Sequence, residues 1–158
     1  RVVWLCENSC LLGLYFVKYC YEDGSRGRDA LKHILGDSQV KALQLDGYNV
    51  YMYLDDHMVD IEHLCCMAHA RAKFKYALDQ GNDKDAEFIL ELIGELYRLE
   101  REYEEGKLSP EQIRLCRNNL KTKEIIIKLR SKLDALLSGN HPPRGESMEK
   151  ALNYMNTF

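Results

Sequence analysis

Asp46 stands where a short apolar run, Lys41–Leu45, gives way to Gly47. A carboxylate at a strand end, aimed into a cleft, is how metal-dependent nucleotidyl transferases hold Mg2+. Hard cations take carboxylate oxygen, and two ions about 3.5–4 Å apart clamp both sides of an in-line phosphoryl transfer. Asp-Gly is also an ordinary turn after any strand, and spacing alone favours the turn. Cys66 and His69 form the second candidate. At i, i+3 on a helix entry they face the same way, with His57, His63 and Cys65 nearby. Zinc needs two such pairs at finger-like spacing. The distant Cys6 and Cys10 do not supply it, so a buried thiol beside a hydrogen-bonded imidazole is the favoured reading. Arg71, Lys73 and Lys75 follow on the same expected helix, and Arg71 and Lys75, four apart, share a face. Such a patch fits a phosphate backbone, although a solvated face is the commoner account. The sequence has no Gly-rich phosphate loop, Ser-His-Asp set or redox Cys-x-x-Cys.

The elements that position these residues fall into two regimes, 1–80 and 81–158. In the first, Val2–Cys6 and Leu11–Tyr21 read as a hairpin, with turn chemistry at Glu7, Asn8 and Ser9. Arg28–Leu35 has helical spacing and stops at Gly36. Lys41–Leu45 is a brief strand, Tyr48–Leu54 a short helix, Ile61–Cys66 a second brief strand and Ala68–Gln80 a helix. That order predicts an α/β arrangement, helices packed on a mixed sheet.

The second regime is helical. Ile89, Leu92, Leu96, Leu99 and Tyr103 alternate spacings of three and four, a heptad seam. Gly106 is placed to end that helix. Ser109, Pro110 and Gln112 then supply a cap, a first helical residue and a capping box for the next. Its seam runs through Ile113, Cys116 and Leu120, then Ile126, Leu129, Leu133 and Leu136, changing phase around Lys121–Glu124. Gly139-Asn140 and Pro142-Pro143 end it, and a last helix runs from about Ser147 toward Phe158. Residues 83–105 carry nine acidic and three basic side chains, and residues 111–132 seven basic and two acidic. Opposite signs predict an antiparallel hairpin whose basic face is solvated or paired within the molecule rather than held against phosphates.

The whole chain is 158 residues with a formal net charge of −3, so a uniformly basic nucleic-acid coat is excluded while local basic faces are not. At 46% hydrophobic it can bury a core. The most apolar stretch, Leu11–Tyr21, is interrupted by Gly13 and Lys18 and is too short to span a membrane. The chain starts at Arg1 without a leader and reads as a segment of something longer. Most of its six cysteines sit inside apolar runs. This fits free, buried thiols in a reducing compartment, and hence a cytoplasmic protein.

Two strings shift the balance for Asp46. One is Leu43-Gln44-Leu45-Asp46-Gly47-Tyr48-Asn49-Val50-Tyr51, and the other is Glu62-His63-Leu64-Cys65-Cys66-Met67-Ala68-His69-Ala70-Arg71-Ala72-Lys73-Phe74. Together they resemble the insertion-sequence-66 family of bacterial transposases, whose usual motifs are L-Q-T-D-G-Y-x-x-Y and G-C-W-A-H-A-R-R-K-F. Leu45 stands where Thr is usual, Cys65 where Gly is usual and Met67 where Trp is usual. Tyr21–Gly27, Leu35–Asp37, Glu91–Tyr97 and Lys150–Tyr154 match the same family in the same order.

The resemblance implies an α/β fold, with a partial ribonuclease H-like mixed sheet over 1–80 and an all-α helical-hairpin insertion over 81–158. It implies an Asp-Asp-Glu site using Mg2+ or Mn2+, in which Asp46 matches the second Asp. The first Asp is expected before Arg1 and the Glu after Phe158. Cys66 and His69 match a C-x-x-H motif with an architectural or DNA-end-positioning role. The implied partners are transposon-end and target DNA and further copies of the chain, with no membrane. The implied activity is metal-dependent cleavage and strand transfer, carried by the full-length protein and absent from the isolated chain. With the first strand outside the chain, the hairpin is expected to pair with the strand ending at Asp46 or with a second copy. A nuclease without strand transfer and a non-enzymatic helical interaction module are the other classes the sequence allows.

Overall fold

The structure, a computed structural model, describes residues 2–9, 14–21, 29, 42–45, 62–139 and 144–156. Four strands, β1 (Val2–Ser9), β2 (Leu14–Tyr21), β3 (Ala42–Leu45) and β4 (Glu62–Cys65), precede five helices. These are α1 (Met67–Gly81), α2 (Lys84–Glu105), α3 (Pro110–Arg117), α4 (Leu120–Leu137) and α5 (Glu146–Asn156). The chain divides into two compact units, Arg1–Leu64 and Cys65–Phe158.

In the first unit β1 and β2 form the expected antiparallel hairpin, in register from Val2 opposite Tyr21 to Ser9 opposite Leu14. Glu7, Asn8 and Ser9 are paired strand residues rather than the turn. Pairing with Phe16, Tyr15 and Leu14 overrides their local turn preference. The helices expected over Arg28–Leu35 and Tyr48–Leu54 lie outside the described residues, except that Asp29 is helical.

The expected α/β, ribonuclease H-like mixed sheet is not what forms. Among the described residues the strands pair only two by two, β1 with β2 and β3 with β4, and every element from Met67 onward is a helix. The hairpin does not join the strand leading to Asp46, because β3 takes β4 as its neighbour instead. The physical reason is the length of each pattern. β3 and β4 have four residues each, whereas helical apolar spacing runs almost unbroken from α1 to α5. The continuous core is therefore built helix on helix.

In the second unit the helices close a circuit: α1 packs on α2, α2 on α4, α4 on α5 and α5 on α1, with α3 against α4. That is the contact pattern of a four-helix bundle. Phe74, Ile89, Ile93 and Met148 are its largest fully buried side chains, one from α1, two from α2 and one from α5. Leu129, Leu133 and Leu136 line it from α4.

Short connections fix the order of the bundle. Asn82 takes the left-handed conformation (φ 48°) that asparagine tolerates, and its N–H donates to the Leu78 carbonyl at 2.8 Å. Asp83 then caps α2, its carboxylate accepting from the N–H groups of Asp85 (2.8 Å) and Ala86 (3.1 Å). Two residues thus end one helix and start the next. At the far end of α2, Gly106 donates to the Glu102 carbonyl, and a Cβ there would stand 3.1 Å from that oxygen. The left-handed residue is Lys107 (φ 49°). Ser109 and Gln112 make the reciprocal capping box expected at the start of α3.

The phase change seen in the sequence is a break. Asn118 ends α3 and Asn119 caps α4, accepting from the Thr122 N–H at 2.8 Å. Local bonds from such side chains compete with a continuous helix. The buried Thr122 hydroxyl donates to the Cys116 carbonyl at 3.1 Å and ties the two pieces together. The break moves the seam by one residue: Ile125 is 4% exposed, while Ile126, expected inside, is 48% exposed.

The ion pairs show that α2 and the α3–α4 arm run antiparallel. Arg117 meets Glu100 at 2.6 Å and Lys132 meets Asp85 at 2.7 Å, so fifteen residues forward along the arm is fifteen residues back along α2. The pairs are partly exposed and set register more than stability.

Candidate functional site

Helix α1 carries most of the chemistry-bearing residues that the structure describes. Ala70, Phe74 and Ala77, spaced four and three apart, bury one face of it. At 100° per residue the remaining positions divide into two flanks. His69, Ala72, Lys73 and Tyr76 fall on one flank and face a groove of about 420 Å3 whose other wall is Glu146, Ser147 and Lys150 of α5. Arg71 and Lys75 fall on the other flank, both exposed, with Lys75 paired to Asp79 at 2.5 Å.

The three cations singled out in the sequence are therefore not one patch. Lys73 is half-buried and its ammonium sits 5.2 Å from the centre of the Tyr154 ring, a cation–π contact. Arg71 and Lys75 share their own face, as their spacing requires.

Cys66 is the residue at the N-terminal boundary of α1, extended at φ −79°, ψ 105°. It acts through its backbone: its carbonyl accepts the first helical bond from the Ala70 N–H at 3.1 Å and a bond from the Tyr154 hydroxyl at 3.3 Å. His69 is exposed and lines the groove. Both members of the motif thus lie between α1 and α5, one holding the helices together and the other facing solvent between them.

Tyr154 is the residue that reasoning on single positions missed. It is 7% exposed, with its hydroxyl at the entry of α1 and its ring beneath Lys73. The signal was in the Lys150–Tyr154 string, since an i, i+4 pair on an amphipathic helix puts both residues toward α1. The segment entering α5 is held by Arg144, whose guanidinium donates to the Leu136 carbonyl at the end of α4 (2.7 Å).

Burial pushes the Cys65 thiol above its ordinary value of 9.0, and contact with the Tyr154 hydroxyl pulls it partly back. Burial, and then the neighbouring Cys65, push the Tyr154 phenol above its ordinary 10.0. Both groups are acids held in their neutral form by the fold. Their contribution is complete below the ordinary values and is lost as pH rises through the raised ones. The helical unit should therefore lose stability progressively above about pH 9. Tyr154→Phe should cost about 0.5–1.5 kcal/mol at pH 7 through loss of the bond to Cys66. It should also flatten the alkaline decline. Urea titrations of both proteins at pH 7 and pH 10 check this, and equal alkaline slopes would show that Tyr154 is not among the groups responsible.

Asp46 lies outside the described residues, one position past β3. Among the described residues no three His, Cys, Asp or Glu side chains gather as a metal's ligand set. No described helix is long and apolar enough to cross a membrane.

Compared with known proteins, residues 3–157 match the family model described as "Transposase IS66 family". No curated protein and no solved structure matches the chain.

Proposed function

The chain belongs to the IS66 family of transposases, and from that premise we propose that it is part of an enzyme that cleaves DNA at the ends of an insertion element and joins those ends to a target. The match over residues 3–157 carries this reading. Within it, the string Leu43–Tyr48 around Asp46 supports a catalytic role for that carboxylate.

Asp46 is assigned as one metal-holding carboxylate of an Asp-Asp-Glu site, with the other two outside this chain. Its chemistry suits a hard cation, which takes carboxylate oxygen in preference to nitrogen or sulfur. Mg2+ or Mn2+, when bound, supplies Lewis acidity to the phosphoryl transfer. One carboxylate is too few to hold two ions against their hydration, so the isolated chain is assigned no activity. The helical unit is assigned a positioning role. Its cations lie on two flanks of α1, and on the α3–α4 arm Arg117 pairs with Glu100, Lys132 with Asp85 and Arg130 with Asp134 in partly exposed contacts. The working form is assigned as a homo-oligomer, since two element ends are joined in one event.

The test uses the full-length protein, intact and pre-cleaved element ends and a target plasmid in Mg2+. Joined products are expected. Cleavage of intact ends with no joining would replace transposition by simple nuclease action, and neither product would leave a non-enzymatic interaction module.

A further inference from the structure

The groove between α1 and α5 pairs an unburied aromatic ring with cations. Tyr76 is 59% exposed in a unit whose other α1 aromatic, Phe74, is fully buried. Its ring is mostly exposed and stands in the groove wall, four residues from Ala72 and three from Lys73. Lys73 is held in place from below by the Tyr154 ring. Across the groove Lys150 forms a pair with Glu146 at 2.5 Å, in which both side chains remain mostly exposed. Such a pair contributes little, and the ammonium is available to a second anion. His69 and Ser147 add polar groups at the same wall. Glu146 is the one acidic group in the lining, and Lys150 already offsets it.

On these observations, and resting on the reading of the chain as part of a DNA transposase, we propose that this groove takes a single-stranded segment of DNA, with one unpaired base stacked on Tyr76 and adjoining phosphates against Lys73 and Lys150. A flat aromatic face between cations is the chemistry that single strands use, because every unpaired base offers a π-face and every linkage a negative charge. In a duplex those faces are covered by the neighbouring base pairs. The volume, about 420 Å3, falls within the range of sites that enclose small ligands and accommodates a base with its sugar. Arg71 and Lys75, on the opposite flank, are not part of this groove.

Fluorescence anisotropy on the 158-residue chain, with a labelled single-stranded oligonucleotide and a blunt duplex of the same sequence, tests the proposal. The single strand is expected to bind more tightly than the duplex. Tyr76→Ala should weaken it about tenfold or more, and Tyr76→Trp should retain it. Lys150→Gln should weaken binding and reduce the salt slope by about 0.7. Lys128→Gln, an exposed α4 lysine outside the groove lining, should leave the affinity within about twofold. Equal binding of strand and duplex, or a Tyr76→Ala affinity within twofold of the parent, would overturn the proposal. Circular dichroism of the Tyr76 variants confirms folding, which an exposed site should leave intact. Strand joining by the full-length protein without this binding would remove the groove alone. Binding without joining would remove the transposase chemistry alone.

Discussion

Asp46→Asn in the full-length protein should reduce strand joining by about a thousandfold or more in both Mg2+ and Mn2+. The exchange keeps the size and shape of the side chain and removes its charge. A neutral amide is a poor ligand for a hard dication, and losing a metal-holding carboxylate removes several kcal/mol of transition-state stabilisation. At about 1.4 kcal/mol per factor of ten, that is three decades or more in rate. The measurement is joined product against time with pre-cleaved ends. A variant within tenfold of the parent would make Asp46 a turn residue, which the Asp-Gly pair by itself suggests.

Phe74→Ala should be the most damaging single truncation in α1. Phe74 is 0% exposed and belongs to the core cluster that joins α1 to α2, α4 and α5. Truncating a fully buried phenylalanine costs about 3–5 kcal/mol, the lost transfer energy plus the cavity left behind. Against a total stability of about 5–15 kcal/mol this brings the unit near its threshold. Urea unfolding followed by circular dichroism reads the effect as a fall in midpoint at unchanged slope. Leu96→Ala is the comparison. Leu96 lies in the heptad seam but is only half-buried, packed against the edge of the cluster, so its loss should be clearly smaller. If Leu96→Ala cost as much as Phe74→Ala, the seam and not the α1 contact would dominate the bundle.

The correction at Leu96 shows how far periodicity reaches. Spacing identified the face of α2, and Ile89, Leu92, Leu99 and Tyr103 are buried on it. It did not rank those positions, because burial depends on which partner helix arrives opposite each turn. The same limit explains Ile126. The apolar pattern continued across Lys121–Glu124 with a changed phase, and only the break at Asn118-Asn119 decided that Ile125 and not Ile126 faces inward. In the first unit the runs Val2–Cys6, Leu11–Tyr21, Lys41–Leu45 and Ile61–Cys66 were legible as strands, and strands form at Val2–Ser9, Leu14–Tyr21, Ala42–Leu45 and Glu62–Cys65. The hairpin of the first two was legible from their adjacency, but the partner of the Ala42–Leu45 strand was not, since a strand's own residues do not name its neighbour. A mixed sheet inferred from strand order gave way to two separate pairs.

What the sequence determined by itself is local or compositional: the capping box at Ser109, the opposite charge of the two arms, and the motif strings that mark the family. These depend on residues within a turn or two of one another, where chain connectivity fixes the distance. The tertiary structure decided what depends on separation across the bundle. Tyr154 lies 88 residues from Cys66, yet its hydroxyl holds that carbonyl. Helical spacing alone puts Lys73 on the opposite flank of α1 from Arg71 and Lys75. What spacing does not supply is its partner: the docking of α5, set by burial of Met148, Ala151 and Leu152 in the common core, brings the Tyr154 ring to Lys73.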